Sequence, residues 1–291
     1  MRVIKYIISF LLLSCNFVSS AQEKQHDNMP LVISNRLPVA EFKDPVPQRG
    51  EEFREYLSVS VQIDADHAYG SGTIIYYDEK SNTAYVASCG HLWDGNMRYE
   101  ESKSKNKNCQ IIVWYHGSKK LEAPKKYKAK ILFHRNERGY DISLITFKPD
   151  WKPDYFPIAP EGYEIKSNSR YHSLGCDNGK EVAHYDIEII DINKIDIVTR
   201  FNSPRPGRSG GGLLSTDGYY IGTCWGTSDY SGKGYGYFVP IEHVVEQYKK
   251  ENLEWLVHVS RPSSARKIPI VDINNSQGQY LEEYIPLPEY Y

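Results

Sequence analysis

The segment Pro206–Leu214, which reads PGRSGGGLL, carries the strongest signal in the sequence. Ser209 lies among glycines and is followed by an apolar run, so we expect its hydroxyl on a tight turn that a substrate backbone can approach closely. If the amides of Gly207 and Ser209 converge, they form a donor pair for an oxyanion, and losing one such donor costs about 2.7–4 kcal/mol of transition-state stabilisation. Taken alone, the segment also fits a flexible glycine-rich loop that happens to contain a serine.

A serine in such a turn becomes a nucleophile only if a base takes its proton and a carboxylate orients that base. His91 is a candidate base, because the small residues Ser88–Gly90 turn the chain just where an apolar strand ends. Asp141 lies directly before another apolar run, and a carboxylate at the end of a buried strand must be paired. The sequence therefore predicts a catalytic triad of His91, Asp141 and Ser209. The alternatives are a histidine with a purely structural role and a turn-capping aspartate.

Short apolar or alternating runs surround these segments from Tyr56 onward, separated by glycine, asparagine, aspartate and proline. This pattern is typical of a barrel or sandwich of short strands, so the predicted fold class is all-β. One helix is predicted after Pro240, since apolar residues fall at i, i+3, i+4 and i+7 from Ile241. The predicted strands are Leu57–Ile63, Gly72–Tyr77, Ala84–Ser88, Gln110–Tyr115, Ala129–His134, Ile142–Phe147, Ser169–Leu174, His184–Asp191, Ile195–Arg200, Gly212–Ser215, Tyr219–Trp225 and Gly234–Pro240.

Seven segments in this order resemble the trypsin-like serine proteases of the chymotrypsin fold, particularly bacterial secreted and glutamyl-endopeptidase-like members. The resemblance covers roughly residues 55 to 255 and implies two six-stranded antiparallel β-barrels with a C-terminal helix. The segments that carry it are Gly70-Ser71-Gly72-Thr73, Ser88-Cys89-Gly90-His91, Asp141-Ile142-Ser143-Leu144, Leu174-Gly175-Cys176, Gly207-Arg208-Ser209-Gly210-Gly211, Cys224-Trp225-Gly226 and Gly236-Tyr237-Phe238-Val239-Pro240.

The resemblance also implies roles for single residues. The Ser209 hydroxyl would attack a peptide carbonyl, His91 would transfer the proton, and Asp141 would orient the imidazole, with no metal and no cofactor. The amides of Gly207 and Ser209 would form the oxyanion hole. The substrate-binding residues would be Ser203, at the base of the specificity pocket, and the edge formed by Cys224, Trp225 and Gly226.

Two positions depart from the family pattern. Arg208 stands where animal relatives carry the aspartate that receives a newly freed amino terminus, so that activation switch is not expected here. Cys224 replaces a serine that usually contacts the triad carboxylate, and a thiol is the poorer hydrogen-bond donor.

Composition limits the classes of function. The chain has 291 residues, 40% apolar, and its 35 basic and 37 acidic residues give a net charge of −2, so it can bury a core and gives no reason to expect a nucleic-acid partner. A monomer acting on protein or peptide substrates is expected, with no membrane span.

The predicted divisions of the chain are a signal peptide at 1–21, an extension or propiece at 22–54, a protease domain at 55–255 and a tail at 258–291. Within the protease domain we place one barrel at about 55–150, the second at about 165–240, and the helix at 241–257.

The first residues read as a secretory signal, because Arg2 and Lys5 precede the short apolar run Tyr6–Leu13. Cleavage is expected before Ala21 or Gln22, which predicts a secreted or periplasmic protein. The alternative is a lipoprotein tethered to the membrane through Cys15.

Four cysteines remain after cleavage: Cys89, Cys109, Cys176 and Cys224. They are expected either to form two disulfides, in any of the three pairings, or to be small free residues of the core.

The sequence is compatible with three functions. The favoured one is a secreted serine endopeptidase. The second is a protease-fold protein that binds peptides without cleaving them, suggested by Arg208, Cys224 and the extensions at both ends. The third is a redox or metal site formed by Cys89, His91 and Cys109, although these spacings match no compact zinc motif.

Overall fold

The computed structural model describes residues 44–65, 68–94, 109–137, 139–259, 270–271 and 280–281. The predicted signal peptide, Cys15, most of the extension and most of the tail lie outside this set. Among the described residues, no helix is long and apolar enough to cross a membrane. Two short strands of the tail, β13 (Ile270–Val271) and β14 (Tyr280–Leu281), pair with each other.

Twelve strands form two closed antiparallel barrels of six strands each, which confirms the predicted fold class. Each predicted strand has its counterpart among them. The first barrel contains β1 (Ser60–Ala65), β2 (Ala68–Asp78), β3 (Thr83–Ser88), β4 (Gln110–His116), β5 (Lys119–Arg135) and β6 (Ile142–Phe147). The second contains β7 (Ser169–Gly175), β8 (Ala183–Ile192), β9 (Ile197–Arg200), β10 (Gly212–Leu214), β11 (Tyr220–Thr227) and β12 (Gly236–Pro240).

The two barrels repeat one topology. Around the first barrel the order is β1-β2-β3-β6-β5-β4, and around the second it is β7-β8-β9-β12-β11-β10, so each strand of the second barrel corresponds to the strand six places earlier. Closure leaves no open edge along most of either sheet. The barrel interiors are filled mainly by branched aliphatic and aromatic side chains, among them Val61, Ile74, Val86, Leu144, Leu174, Ile187, Leu213 and Phe238, all of them buried.

The helices differ from the sequence prediction at two places. Leu57–Val59 was predicted as the start of the first strand but is the end of helix α1 (Arg54–Val59), because Leu57 and Val59 alternate with Ser58 as in a strand, while a run this short does not distinguish the two periods. The helix predicted at 241–257 is shorter: α3 spans Ile241–Lys250, and a separate 3₁₀ helix spans Glu254–His258. Asn252, with a left-handed φ of 58°, separates the two.

Residues Asp44–Gly50, which we call the N-terminal strap, lie along the second barrel. Gln48 and His184 exchange two backbone hydrogen bonds of 2.9 and 3.0 Å. The Arg49 guanidinium donates to the carbonyls of Glu181 and Val182, and Asp44 pairs with Arg205 at 2.7 Å. The last residues of the predicted extension therefore contact the barrel directly.

Candidate active site

The pairing of β3 with β6 brings His91 to Asp141. These strands are antiparallel with Ser88 opposite Ser143, so the residues that follow β3 lie beside the residue that precedes β6. The chain then turns into a single helical turn, α2 (His91–Asp94). Two residues 50 positions apart in the sequence become neighbours at the same end of the barrel.

Gly90 is required at this turn. A Cβ atom built on Gly90 would collide with the backbone carbonyl of Arg135, so only glycine lets β3 end this close to β5. Its amide can therefore reach the Asp141 carboxylate. Sequence reasoning placed Gly90 in the motif, and the close approach supplies the physical reason.

The Asp141 carboxylate holds His91 through three hydrogen bonds. Its Oδ1 accepts from the amides of Gly90 and His91 at 2.7 and 2.8 Å, and its Oδ2 lies 2.5 Å from His91 Nδ1. The imidazole orientation is thereby fixed, with Nε2 free to face other groups. The His91 side chain keeps 32% of its surface exposed, against 10% for Asp141.

These contacts set the charge state of the histidine. Burial lowers the pKa of His91, but the hydrogen bond and charge of the Asp141 carboxylate act in the opposite direction, and the pKa is raised above its ordinary value. Burial raises the pKa of the Cys89 thiol, so this sulfur stays protonated at neutral pH. The carboxylate is therefore the partner that favours the imidazolium.

Residues 205–208, directly before Ser209, form a type II turn. The Arg208 amide donates to the Arg205 carbonyl at 3.0 Å, with Pro206 and Gly207 as the central residues. Gly207 has a φ of +96°, as the third position of a type II turn requires. The Pro206 carbonyl accepts from the Asn178 amide at 2.5 Å, and in a trans peptide the next N–H points the opposite way.

The Gly207 amide accordingly points away from Asn178. Within the described part of the chain, neither the Gly207 amide nor the Ser209 amide has a hydrogen-bond acceptor. Two unpaired donors on one turn are what an oxyanion site requires.

Ser71, on β2, ties this turn to the first barrel. Its hydroxyl donates to the Gly207 carbonyl at 2.7 Å and accepts from the Cys176 amide at 2.8 Å. Its amide donates to the Ser209 carbonyl at 2.7 Å. The sequence comparison included Ser71 only as part of a motif, and these long-range bonds show what it contributes.

Arg208 is fully buried and forms an ion pair that sequence reasoning missed. Its guanidinium makes two hydrogen bonds to Asp177, at 2.7 and 2.5 Å, and a third to the Asn202 carbonyl at 2.5 Å. It lies over the Tyr185 ring, with Cζ 3.4 Å from the ring centre. Burial lowers the pKa of Arg208, but Asp177 more than compensates, so the pKa is raised and the guanidinium stays charged.

The Ser209 hydroxyl itself makes no hydrogen bond within the described residues. The sulfur of Cys89 lies 3.7 Å from His91 Nε2. The backbone beside Ser209 is nevertheless packed against the histidine segment, because a Cβ built on Gly210 would lie 3.0 Å from the Cys89 amide nitrogen. The structure thus brings His91 and Asp141 into contact and places the Ser209 turn next to the segment that carries His91.

The predicted substrate-binding residues lie on β11 and on the loop before the Ser209 turn. Both backbone groups of Cys224 bond to Gly210 and Gly211, and within the described chain its thiol makes no hydrogen bond to Asp141. β10 pairs with β11 only up to Thr223. Beyond it, among the described residues, Gly226 and Thr227 pair with β12 alone, and Trp225 lies at the bulge between Cys224 and Gly226. The Trp225 indole donates to Asp196 at 2.8 Å. Ser203 is buried and its hydroxyl donates to the Gly234 carbonyl.

All four cysteines that remain after the predicted signal cleavage are free and buried. The structure therefore favours small core residues over disulfides. Ligand-type atoms of Cys89, His91 and Asp141 lie within 4.8 Å of one another, whereas Cys109 is in neither candidate metal cluster of the described residues. The combination of Cys89, His91 and Cys109 weighed from the sequence does not form.

Comparisons with known proteins bear on the fold. No protein-family model matches this chain, and no curated protein matches it. A mutant of Rv3671c from M. tuberculosis H37Rv, in an inactive form, is 17% identical over 74% of this chain and 97% of that one, with a TM-score of 0.52. Deg5 is 15% identical over 68% and 91%, with a TM-score of 0.51. A serine endoprotease from Yersinia pestis is 17% identical over 74% and 69%, with a TM-score of 0.50.

At such low identity the comparisons concern architecture. Two closed six-stranded barrels of one topology, the helix after the last strand and the three structural matches agree with one another. The chain therefore has the chymotrypsin fold, the architecture of the trypsin-like serine proteases.

Proposed function

We propose that this protein is a secreted serine endopeptidase that cleaves peptide bonds through an acyl-enzyme, with His91, Asp141 and Ser209 as its triad. The observation that carries the proposal is the clamp on His91, in which one carboxylate accepts two backbone amides and the ring Nδ1. A clamp of this kind fixes the tautomer that leaves Nε2 able to accept a proton. The fold, shared with a serine endoprotease, supports the same conclusion.

In the proposed reaction, Ser209 Oγ attacks the substrate carbonyl carbon while His91 Nε2 takes its proton. The carbonyl oxygen becomes an oxyanion, which the unpaired amides of Gly207 and Ser209 would stabilise. His91 then delivers its proton to the leaving amine, and the acyl group stays on Ser209. A water molecule, deprotonated by His91, attacks the acyl carbon. The bond to Ser209 Oγ then breaks, His91 returns the proton to Oγ, and the acid is released.

The mechanism requires a hydrogen bond between Ser209 Oγ and His91 Nε2 that this structure does not contain. Catalytic hydrogen bonds are often long in a substrate-free site and tighten when substrate binds. Cys89, although 3.7 Å from Nε2, is not a competing nucleophile, because its side chain is fully buried and its pKa is raised. Ser209 is the partly exposed hydroxyl at this position.

We infer that the substrate binds as an added strand along 225–227. Within the described chain, Gly226 and Thr227 have a strand partner on the β12 side only, and Trp225 lies at the bulge before them. An extended peptide can use such an edge for main-chain hydrogen bonds. Gly226 leaves room there, because a Cβ built on it would meet nothing within 4 Å. Ser203 is proposed to face the side chain that precedes the cleaved bond.

An active-site probe tests the proposal directly. A fluorophosphonate should label the wild-type protein at Ser209, as peptide mapping would show, and should not label Ser209→Ala. Ser231→Ala, which removes a hydroxyl from an exposed loop, is the matched control and should be labelled normally. Folded wild-type protein that neither reacts with the probe nor cleaves a diverse peptide library would overturn the proposal.

The second candidate function is peptide binding without cleavage. The missing hydrogen bond between Ser209 and His91 favours it, since an unactivated serine is a poor nucleophile. In that case the wild-type protein would bind extended peptides, Gly226→Val would weaken this binding, and Ser209→Ala would leave it unchanged. Probe labelling of Ser209 would exclude this candidate.

We also propose that the protein acts outside the cytoplasm, as a monomer, after removal of residues 1–21, with 55–255 as the protease domain. Mass spectrometry of the mature N-terminus separates the two processing routes. A chain beginning at Ala21 or Gln22 supports secretion, whereas a chain beginning at a lipidated Cys15 supports a membrane tether. An intact N-terminus would refute both.

A further inference from the structure

A second cluster of chemically active side chains lies in the second barrel, formed by residues outside the proposed triad. His172 on β7 is paired directly with Asp186 on β8, and His184 is two residues before Asp186. Because side chains alternate along a strand, these three lie on one face of the β7–β8 ladder. His172 and His184 are buried, and the Asp186 side chain is 16% exposed.

Gln48 of the N-terminal strap fixes the tautomer of His184. Its amide nitrogen donates to Asp186 Oδ2 at 3.2 Å, so its amide oxygen must be the atom that lies 2.6 Å from His184 Nδ1. An oxygen there accepts, so His184 carries its proton on Nδ1 and presents the bare lone pair of Nε2 to the cluster. A hydrogen bond of this kind from the second ring nitrogen is the usual support of a metal-binding histidine.

The remaining atoms converge on the same place. His184 Nε2 lies 2.7 Å from His172 Nδ1, and Asp186 Oδ1 lies 3.7 and 3.9 Å from the histidine Nδ1 and Nε2 atoms, respectively. A point about 2.0 Å from all three atoms exists, the length of a zinc–nitrogen or zinc–oxygen bond. Among the described residues, Asp186 Oδ1 has only the long contacts with the two histidine nitrogens and accepts no hydrogen bond of ordinary length, so a mostly buried carboxylate oxygen faces this point.

We propose that His172 Nδ1, His184 Nε2 and Asp186 Oδ1 bind one divalent transition-metal ion of the zinc class. Two imidazoles and one carboxylate are a common three-ligand set for zinc, with a fourth position left for water. Binding widens the two histidine nitrogens from 2.7 Å to about 3.3 Å, the spacing of a tetrahedral site. It also moves the His172 proton to Nε2, which is buried without an acceptor among the described residues.

The site would have a structural role. It joins β7 to β8, and through Gln48 it joins both strands to the N-terminal strap. Without a metal, the same atoms form a hydrogen-bonded histidine pair in which His172 Nδ1–H donates to His184 Nε2. The two states differ in the content of bound metal, which can be measured directly.

Metal content of the full-length protein is the decisive measurement. Protein stripped with a chelator, incubated with Zn²⁺ and desalted should retain one equivalent by elemental analysis. Substitution with Co²⁺ should give the visible absorption of a tetrahedral site, and Zn²⁺ should raise the thermal midpoint. Wild-type protein that retains no stoichiometric Zn²⁺ or Co²⁺ contains only the histidine pair, and the proposal fails.

Variants locate the ion. Asp186→Asn, which keeps the shape of the side chain, and His184→Gln should lose the bound equivalent and the thermal shift. His116→Gln, which removes a histidine stacked on Trp151 in neither cluster, is the matched control and should keep both. If His91→Gln removes the metal while Asp186→Asn retains it, the ion belongs to the cluster of Cys89, His91 and Asp141, and the proposal is wrong.

Discussion

The protonation state of His91 depends on the Asp141 carboxylate, and the pH dependence of hydrolysis tests this. His91 must be neutral to accept a proton, and its pKa is raised above the ordinary value. Hydrolysis should therefore increase as the pH rises through a value above that of a free histidine, about 6.5. The loss of activity on the acid side reports the imidazolium that Asp141 stabilises.

Replacing Asp141 by asparagine should have two effects. Turnover should fall about 10⁴-fold, because the amide no longer holds the productive tautomer. Any residual activity should survive to lower pH, since the pKa of His91 falls when the negative charge is removed. The pH profile of kcat/KM checks both, with Asp150→Asn as the control, since Asp150 bonds to Lys125 and Tyr127 instead. An unchanged acid limb in Asp141→Asn would mean that another group sets the pKa.

Gly90 gives a prediction about stability. Gly90→Ala should lower the free energy of unfolding by about 1–3 kcal/mol, because the new methyl group meets the Arg135 carbonyl and neither backbone can move without strain. Gly226→Ala, where the added carbon meets nothing within 4 Å, should change it by less than about 0.5 kcal/mol. Urea unfolding of both variants checks this. Equal losses would show that the contact at Gly90 is not the cause.

At the scale of elements, the Arg208–Asp177 pair holds the turn before Ser209. Breaking one side of a buried ion pair leaves an uncompensated charge, so Asp177→Asn should cost about 3–5 kcal/mol of the free energy of unfolding. Glu188→Gln, which weakens the less buried pair with Arg200 on β8 and β9, should cost about 1 kcal/mol or less. Denaturant unfolding compares the two directly.

The same pair should affect chemistry through position. In protein that remains folded, Asp177→Asn should lower the rate of fluorophosphonate labelling while the pH dependence set by His91 stays unchanged. The double variant Asp177→Leu/Arg208→Met should recover much of the stability, because two apolar side chains replace both charges. Failure of the double variant to recover would mean that the pair is not the source of the loss.

Strands and helices could be predicted from the sequence where the spacing of apolar residues fitted only one of the two structures. The run Ile142–Phe147 and most of its counterparts are short and bounded by turn residues, so these strands were predictable within a few residues. The exception is β5, which begins at Lys119, well before the predicted start at Ala129, because its first half is exposed and rich in lysine. Leu57–Val59 was not predictable, because an alternation over only three residues, Leu-Ser-Val, does not distinguish a helix from a strand. The end of α3 depends on the left-handed conformation of Asn252. Asparagine tolerates this conformation, but its presence in a sequence does not predict it.

The candidate site was predictable only in part, for a similar reason. His91, Asp141 and Ser209 each follow or precede a strand in a recognisable motif. Arg208 and Asp177 are 31 residues apart and meet only through the pairing of distant loops. Long-range contacts of this kind are a property of the folded barrel, and no local pattern encodes them.

At the scale of the whole molecule, the N-terminal strap is part of the second barrel. A chain beginning at Glu51 should be less stable than a chain beginning at Asp44 by about 2–3 kcal/mol, since it lacks the hydrogen bonds of Gln48 and Arg49. Thermal unfolding of the two chains checks this. If residues before the protease domain are cut away on maturation, we expect the cut to precede Asp44. A mature chain that begins after Gly50 with undiminished stability would contradict both statements.

The bond network of Ser71 has a consequence for how the protein could be divided. A first-barrel serine supports the turn that a second-barrel serine needs, while His91 and Asp141 come from the first barrel. Two fragments separated within the connection between Phe147 and Ser169 would each lack what the other supplies. Produced apart they should be inert, and on mixing they should recover reactivity only at concentrations where they reassociate. Catalysis would then serve as an assay for the affinity of one half-molecule for the other.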